Sequence, residues 1–291
     1  MRQEAYFCTV KELDELGKNN IPRQLISHTH LIYSSPATLA FNSPGAEGFG
    51  VKRAGLAVPG SVMLIVSPGC CGRNTSVLSS MRAYQDRFYY LLMDETDIVT
   101  GRHLKKIPKA VAEICEGLKK KPSVVMICIT CVDALLGTDM ERVCHKAEEY
   151  AGVPVRPCYM YALTREGRKP PMVHVRQSVY SLLEPKKKKG NVVNLLGYFS
   201  PLTDDCELYD LLHGAGVKTI HEISRCKDYA QYQTMSEANF NLVLHPEARF
   251  AAEDFHDRLK IPYIELRRLY QIDKIASQYR ALAAALGVEF E

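Results

Sequence analysis

The sequence predicts an α/β fold with two doubly wound, Rossmann-like domains of parallel sheet. Short apolar runs such as SVMLIV, VVMICI and NVVNLL alternate with longer segments of helical character along the chain. Apolar runs without polar alternation are typical of strands that are buried on both faces. One break, EPKKKKG at residues 184–190, interrupts the alternation, because a proline and four like charges do not continue a helix into a core. We therefore expect an N-terminal domain over residues 1–185 and a second, smaller domain over residues 190–291.

In the first domain, strands are predicted at residues 61–66, 88–93, 124–129 and 153–158. Helices are predicted over residues 104–118 and 132–150, after a helical entry segment in residues 1–30. Residues 34–50 are rich in Gly, Pro and Ser and predict a loop. In the second domain, strands are predicted in NVVNLLGY, VKTIHEI, FNLVLH and IPYIEL, and the last helix covers residues 272–286.

Composition excludes several classes of protein. The net charge of +4 is small and lies largely in the lysines at 186–189, so the chain lacks the basic face of a nucleic-acid-binding protein. No apolar run approaches the length of a transmembrane helix, and the N-terminus lacks the apolar core of a signal peptide. We therefore expect no membrane association and a cytoplasmic location. Ten cysteines in such a chain favour metal ligation, redox chemistry or core packing over a disulfide framework.

Two cysteine-bearing turns each follow a predicted strand. Cys70 and Cys71 lie in SPGCCGR, and Cys131 lies in ITCVDALLG. Because strand C-termini line the crevice of an open α/β sheet, these thiolates can face a shared ligand, and soft thiolates select iron–sulfur clusters, zinc or copper. The spacing of Cys128 and Cys131, read alone, suggests a redox pair or half a zinc site. Since Cys128 falls inside the apolar strand, we assign it to the core.

Motifs along nearly the whole chain match one known family. SPGCCGR looks like an H-G-P-x-G-C-G turn, DETDIVTGRHLKKIPKAVAEI looks like an E-x-D-I-V-x-G segment, and ITCVDALLGTDMERV looks like a C-x-x-x-x-I-G-D-D turn and helix. On these motifs the chain resembles the nitrogenase component 1 superfamily. That superfamily includes the dinitrogenase subunits, cofactor-assembly scaffold subunits and the dark-operative protochlorophyllide and chlorophyllide reductases.

The resemblance implies an iron–sulfur cluster, of the 4Fe–4S type or larger, at a dimer interface. Cys71 and Cys131 align with two of the family's cluster ligands, and Cys70 is an added thiol, so the choice between Cys70 and Cys71 stays open. The resemblance also implies a mate, either a second copy or a paralogous subunit, that completes the ligand set. An ATP-dependent iron protein is the implied electron donor, since the chain shows no P-loop of its own.

The chain departs from the family pattern in three ways. Asn42, in FNSPGAEG, stands where the family has its first cluster cysteine. Cys70 adds a thiol that the family turn lacks. The chain also looks like a short form without the third α/β domain, which implies a pocket that is open, closed by a partner, or lost.

The resemblance adds two histidines as candidates. His245 ends the predicted strand FNLVLH and aligns with the cysteine that anchors the active-site cofactor of dinitrogenase. It is therefore a candidate for cofactor binding, as a ligand or as a proton donor. The alternative is a structural role, in which the His245 side chain hydrogen-bonds to the backbone at the end of the strand. His174, in PPMVHVRQSVYSLL, is a further catalytic candidate. A second metallocofactor or a tetrapyrrole is the group that such residues would serve.

The resemblance implies first a catalytic-side subunit of a nitrogenase-like, two-component oxidoreductase. Such a subunit takes electrons from the iron protein and passes them through its cluster to a substrate, whose identity the sequence does not give. The alternatives are a non-catalytic scaffold that assembles or carries a metallocluster, and a degenerate interaction subunit that supports a larger catalytic mate. An enzyme would turn over a substrate, whereas a scaffold would transfer an intact cluster to another protein. A purified protein that contains no iron would indicate the interaction subunit.

Overall fold

The structure, a computed structural model, describes residues 9–17, 19–20, 22, 49–69, 79–130, 132, 136–160 and 169–289. Within these residues, eight strands form two four-stranded sheets, and all paired strands are parallel. Helices pack against the sheets, so the predicted α/β fold class is confirmed.

The first sheet has the strand order β2-β1-β3-β4. Its strands are β1 (Val62–Ser67), β2 (Phe88–Leu92), β3 (Val125–Ile129) and β4 (Val155–Tyr159). The central strands β1 and β3 are buried along their whole length. Leu64 and Ile127 face one apolar cluster, while Met63 and Met126 face another. Burial on both faces explains why these runs show no polar alternation.

The second sheet repeats this arrangement with the order β6-β5-β7-β8. Its strands are β5 (Val192–Leu196), β6 (Thr219–His221), β7 (Phe240–Val243) and β8 (Tyr263–Glu265). Leu195 and Leu242 pack in one cluster, whereas Leu196 and Val243 belong to the core that also contains Met63 of the first sheet.

Ten α-helices flank the sheets in the described residues. They are α1 (Val10–Leu16), α2 (Phe49–Gly55), α3 (Glu95–Thr100), α4 (His103–Gly117), α5 (Met140–Ala151), α6 (Pro171–Tyr180), α7 (Glu207–Gly214), α8 (Tyr229–Gln233), α9 (Arg249–Leu259) and α10 (Ile272–Leu286). Short 3₁₀ turns lie at Ile223–Arg225, Thr234–Glu237 and Pro246–Ala248. Among these described helices, none combines the length and the apolar character needed to cross a bilayer.

Helix α6 joins the two sheets through one continuous apolar core. It contacts α2 and β4 of the first half of the chain and α9 of the second half. Val175 and Tyr180 of α6 are buried in the cluster shared by both sheets. The Tyr180 ring packs edge-on against Phe255 of α9, with the ring centroids 5.3 Å apart.

The lysine run between α6 and β5 packs against the second half of the chain. Lys188 Nζ donates to the Ser236 carbonyl at 2.6 Å, and Glu237 forms ion pairs with Lys186 and Lys189. Burial lowers the pKa of Lys188. The chain between the two sheets is therefore held in place by the side chains of Lys186, Lys188 and Lys189. The domain boundary at residues 185–190 stays a prediction.

Three helices depart from the sequence prediction. Helix α2 begins at Phe49, at the end of the segment predicted as a loop, whose residues 34–48 lie outside the described part. Helix α3 covers an acidic stretch for which the sequence analysis predicts no helix. Helix α5, predicted from residue 132, begins at Met140, because Gly137 adopts a left-handed backbone (φ 66°) and the Asp139 side chain caps the first turn.

Candidate functional site

The first candidate site lies where the chain leaves β1 and β3. These strands are neighbours, with Val66 opposite Ile129, and β2 flanks β1 on its other side. Their C-terminal ends therefore form the topological switch point of the sheet, where open α/β sheets bind ligands. The predicted cluster ligands Cys70, Cys71 and Cys131 follow these two strands in the chain and lie outside the described residues.

Two buried hydroxyls at this switch point have no hydrogen-bond partner in the described part of the chain. They belong to Ser67, the last residue of β1, and to Thr130, directly after β3, which are 0% and 3% exposed. An unpaired buried hydroxyl costs about 1–3 kcal/mol, so each of these two is available to donate to a group outside the described residues. The sulfides of an iron–sulfur cluster accept hydrogen bonds, so the residues present fit the cluster that the resemblance implies.

The DETDIVTG segment is a structural support beside this switch point. Asp94 caps α3 by accepting a hydrogen bond from the Asp97 backbone N–H at 2.6 Å, and the Asp97 side chain is 2% exposed. Lys106 Nζ and Arg102 Nε each donate to Asp97 at 2.7 Å, and these bonds hold the pKa of its carboxyl well below the usual range. The acidic residues of the motif thus fix the connection from β2 through α3 to α4.

The second candidate site lies at the corresponding point of the second sheet. There β5 and β7 are neighbours, and β6 flanks β5 on its other side, so the ends of β5 and β7 form a second switch point. Gly197 follows β5, and His245 lies two residues beyond β7. A Cβ on Gly197, whose φ is +135°, would lie 2.7 Å from both the Cβ and the backbone nitrogen of His245. Glycine at this position permits the close approach of the two strand ends.

A buried arginine from α6 fixes this point. Arg176 is 4% exposed, and its Nε and Nη2 donate to the Gly197 carbonyl at 3.0 and 2.6 Å. Its Nη1 donates to the Met172 carbonyl and to Glu247 Oε2, both at 2.8 Å. Burial lowers the pKa of the Arg176 guanidinium, and the Glu247 carboxylate opposes that effect. Arg176 therefore ties α6, the end of β5 and the segment after β7 into one unit.

The His245 side chain is 32% exposed and presents a hydrogen-bond donor. Its Nδ1 accepts a hydrogen bond from the Glu247 backbone N–H at 3.3 Å, so the neutral ring carries its proton on Nε2. Burial lowers the pKa of His245, and the charge of Arg176 lowers it further. The ring packs edge-on against Tyr198, whose hydroxyl accepts a hydrogen bond from Arg268 at 3.2 Å. Metal ligation through Nε2 would require the ring proton to move to Nδ1 and the contact with Glu247 N–H to break.

His174 does not join the second site. It lies two residues before Arg176 on α6, about 200° away around the helix axis. Its ring packs edge-on against Tyr159 at the end of β4, with centroids 4.3 Å apart, and its Nδ1 lies 3.2 Å from Ser178 Oγ. Burial lowers the pKa of His174 to about 4, so this ring is neutral at neutral pH. The two histidines proposed from the sequence therefore contact different sheets.

Cys128 is a core residue, as predicted. It is fully buried in β3 and lies opposite Cys158 of β4, whose Sγ is 3.4 Å from the Val51 carbonyl oxygen. The hydrogen bond between the two thiols, together with burial, raises the pKa of Cys158 well above its usual value. Within the described residues, no group of three or more His, Cys, Asp or Glu side chains is arranged to hold a metal ion.

The sequence analysis missed the residues that build the second site around His245. These are Arg176, Gly197, Tyr198 and Glu247. The glycine directly after a buried strand was a usable signal, because strand ends that approach one another closely exclude a Cβ. The arginine gave no such signal, since most arginines in helical segments are exposed.

The sequence matches the family described as nitrogenase component 1 type oxidoreductase over residues 47–291. The chain belongs to this family. The resemblance found in the cysteine turns and the DETDIVTG segment is therefore confirmed. Proteins of the nitrogenase component 1 family generally bind metal clusters and pair with an iron protein or a paralogous subunit.

Relatives within this family carry one shared name, nitrogenase iron-molybdenum cofactor biosynthesis protein NifE. The protein from Nostoc sp. is 28% identical over 199 residues, which are 67% of this chain and 41% of the relative. The protein from Klebsiella pneumoniae is 27% identical over 208 residues, 67% of this chain and 45% of the relative. The protein from Methanococcus maripaludis is 24% identical over 238 residues, 79% of this chain and 49% of the relative. The chain thus spans less than half the length of these relatives.

Solved structures of nitrogenase Cp1 share the fold of this chain. The structure at pH 6.5 superposes with a TM-score of 0.62 at 18% sequence identity, covering 83% of this chain and 57% of that one. The structure at pH 5 gives a TM-score of 0.56 at 20% identity, covering 80% of this chain and 51% of that one. At this level of identity the likeness concerns the α/β architecture alone.

Proposed function

We propose that this chain is a non-catalytic subunit that assembles or carries a metallocluster. The sequence left an enzyme, a scaffold and an interaction subunit open. The similar proteins are named for biosynthesis of the iron-molybdenum cofactor, which favours the scaffold. The structural observation that carries the proposal is the repetition of one arrangement: in each sheet a candidate site follows the central strands at the switch point.

The first switch point would hold an iron–sulfur cluster. We propose Cys71 and Cys131 as ligands, with Cys70 as a third thiol, and expect Cys71→Ala to lose more iron than Cys70→Ala. When bound, the cluster would supply storage and transfer of electrons. The hydroxyls of Ser67 and Thr130 would donate hydrogen bonds toward it, which satisfies two buried groups that have no partner among the described residues.

A mate subunit, either a second copy or a paralogue, would complete the ligand set, because two or three thiolates fall short of the four that a cubane cluster takes. Three large apolar side chains are exposed along β2, α3 and the segment after β3. Leu92 ends β2 and is 58% exposed, Val99 of α3 is 85% exposed, and Leu136 after β3 is 50% exposed. We propose that the mate covers these three side chains. An ATP-dependent iron protein would act as the electron donor of the assembly.

The second switch point would bind the carried cluster or its precursor. His245 offers a neutral N–H donor there, since burial lowers its pKa and the charges of Arg176 and Arg268 lower it further. Hydrogen bonds and positive charge hold an anionic cluster without a metal–ligand bond that must later be broken. This chemistry suits a carrier that releases what it binds. Tyr198 packs against the ring and would limit its orientation.

The decisive experiment compares transfer with turnover. The protein is purified without oxygen together with its native partner, loaded with iron and sulfide, and mixed with an apo-protein that accepts the iron-molybdenum cofactor. We expect iron and labile sulfide to move to the acceptor. Steady reduction of acetylene in the presence of iron protein and ATP, without transfer, would overturn the proposal in favour of the catalytic subunit.

Two histidine variants examine the second switch point in the same assay. His245→Ala should lower transfer while the spectrum of the first-site cluster stays unchanged, because Nε2–H is lost and the cysteine turns are untouched. His256→Ala serves as the control, since its exposed ring pairs only with Asp257 among the described residues. If the two variants transfer equal amounts of iron and labile sulfide, His245 does not bind the carried cluster.

A further inference from the structure

A cavity of about 610 Å³ lies between the two halves of the chain. One wall comes from α2 and the loop that follows it, and a second comes from residues 199–201 after β5. A third wall comes from residues 223–227 after β6. Small-molecule sites in proteins typically have volumes of about 300–1,000 Å³, and they favour the boundary between packed units. Neither switch-point site accounts for this cavity, because it contains none of their candidate ligands.

The charged side chains that line this cavity, in the described part of the chain, are all cationic. They belong to Arg53, Arg87 and Lys227. The Arg87 guanidinium donates to uncharged acceptors, including the carbonyls of Leu56 at 2.7 Å and Ser61 at 3.0 Å. Its charge is therefore held in position, and none of the described residues pairs a carboxylate with it. Burial lowers the pKa of Arg87, as expected for a cation in such a place.

A second cavity of about 470 Å³ extends the basic surface. It shares Arg87 and Lys227 with the first cavity and adds Lys120 and Lys121. The acid among its described lining residues, Asp228, is engaged in capping α8. Among the described lining residues five cations thus outnumber this one carboxylate, so the combined cleft carries a net positive charge. Clefts dominated by one sign of charge concentrate ligands of the opposite sign.

The rest of the first cavity offers apolar contact and one free hydroxyl. Met172, Phe199 and Ile223 line it, together with Tyr84 from the segment before β2. Ser224 also lines it, and the Oγ of this residue is buried without a hydrogen-bond partner in the described residues. An unsatisfied hydroxyl of this kind can bond to a polar group of a ligand.

We propose that this cavity binds an organic anion with an apolar body. The carboxylate, phosphate or sulfonate groups of such a ligand pair with Arg53 and Lys227, and its body packs on Met172 and Phe199. Since Arg53 belongs to the first half of the chain and Lys227 to the second, the bound anion links the two halves.

The test uses 8-anilinonaphthalene-1-sulfonate as the anionic probe and N-phenyl-1-naphthylamine, the same ring system without the sulfonate, as the neutral probe. Fluorescence titrations are run on the full chain and on the double variant Arg53→Glu, Lys227→Glu. The control is Lys105→Glu, Lys274→Glu, which changes the net charge equally at exposed lysines outside both cavities. Circular dichroism and the thermal midpoint establish that each variant is folded.

We expect the Kd of the anionic probe to rise about tenfold or more in the cavity variant and to change little in the control. The neutral probe should bind both proteins alike, and pyrophosphate or citrate should displace the anionic probe from the unaltered chain. Equal Kd values for the anionic probe in the two variants, or no displacement by either polyanion, would overturn the proposal.

Discussion

Arg176 and Gly197 are joined by two hydrogen bonds to one carbonyl oxygen, from Nε at 3.0 Å and from Nη2 at 2.6 Å. That carbonyl belongs to the residue on which a Cβ would lie 2.7 Å from His245. Because Arg176 comes from α6, which packs on both halves of the chain, the geometry of the second switch point depends on the packing between the sheets. The geometry of this site therefore depends on the packing of the core as well as on the loops that form the site.

Arg176→Met should lower the free energy of unfolding by about 3–5 kcal/mol, because it leaves the Glu247 carboxylate part-buried without its partner and the Gly197 carbonyl without its donors. Urea denaturation measures this change. Adding Glu247→Gln should recover part of the loss, since the unpaired charge is then removed. Arg280→Met, at an exposed arginine of α10, is the control with an expected cost of about 0.5 kcal/mol or less. Equal costs in the two arginine variants would show that Arg176 is not an anchor.

Gly197→Ala should cost about 2–4 kcal/mol, because a methyl group at φ +135° meets the Cβ and nitrogen of His245 at 2.7 Å. The comparison is Gly190→Ala in the linker, where a Cβ would meet nothing within 4 Å. Equilibrium unfolding of the two variants gives the difference directly. A Gly197→Ala protein as stable as the Gly190→Ala protein would mean that β5 and β7 end further apart than the structure has them.

Thr130→Val should raise the stability of the metal-free protein by about 1 kcal/mol, because it replaces a buried hydroxyl that has no partner in the described part of the chain with a methyl group of similar size. In the iron-loaded protein the same change should lower the reduction potential of the cluster, since a hydrogen bond toward its sulfides is lost. Chemical denaturation of the apo-protein and a redox titration of the loaded protein measure the two effects. A destabilised apo-protein with an unchanged potential would assign the hydroxyl to the fold instead.

Asp97→Asn should flatten the dependence of stability on acidity. The pKa of Asp97 is lower in the folded chain than its unfolded value of about 4. The ionised carboxylate therefore contributes its full stabilisation of the fold above about pH 4, and this stabilisation is lost as the pH falls below that value. Thermal midpoints between neutral pH and pH 3 should fall less steeply in the variant than in the unaltered chain. Asp205→Asn, at an exposed carboxylate, should keep the original slope. Parallel curves for the unaltered chain and Asp97→Asn would contradict the role of the Lys106 and Arg102 contacts.

The strands that form the switch points were predictable because burial on both faces leaves an unbroken apolar signature. The runs that became β1 and β3 show this clearly, and α10 was predicted with its observed ends at residues 272 and 286. The start of α5 was not predictable from its periodicity, since the left-handed Gly137 decides it. The contact between Arg176 and Gly197 forms because α6 packs against both halves of the chain. No local sequence pattern predicts such packing between distant elements.

Iron content tests the central claim most directly, namely that the turns after β1 and β3 hold a metal cluster. Cys131→Ala and Cys128→Ala are purified without oxygen with the native partner, and iron and labile sulfide are measured per chain. Cys128 is the matched control, because it lies three residues away in the same segment and is fully buried in the core. We expect Cys131→Ala to lose the iron and its visible absorption, and Cys128→Ala to retain both. Equal iron in the two variants, or an unaltered chain that is colourless beside its partner, would contradict the account.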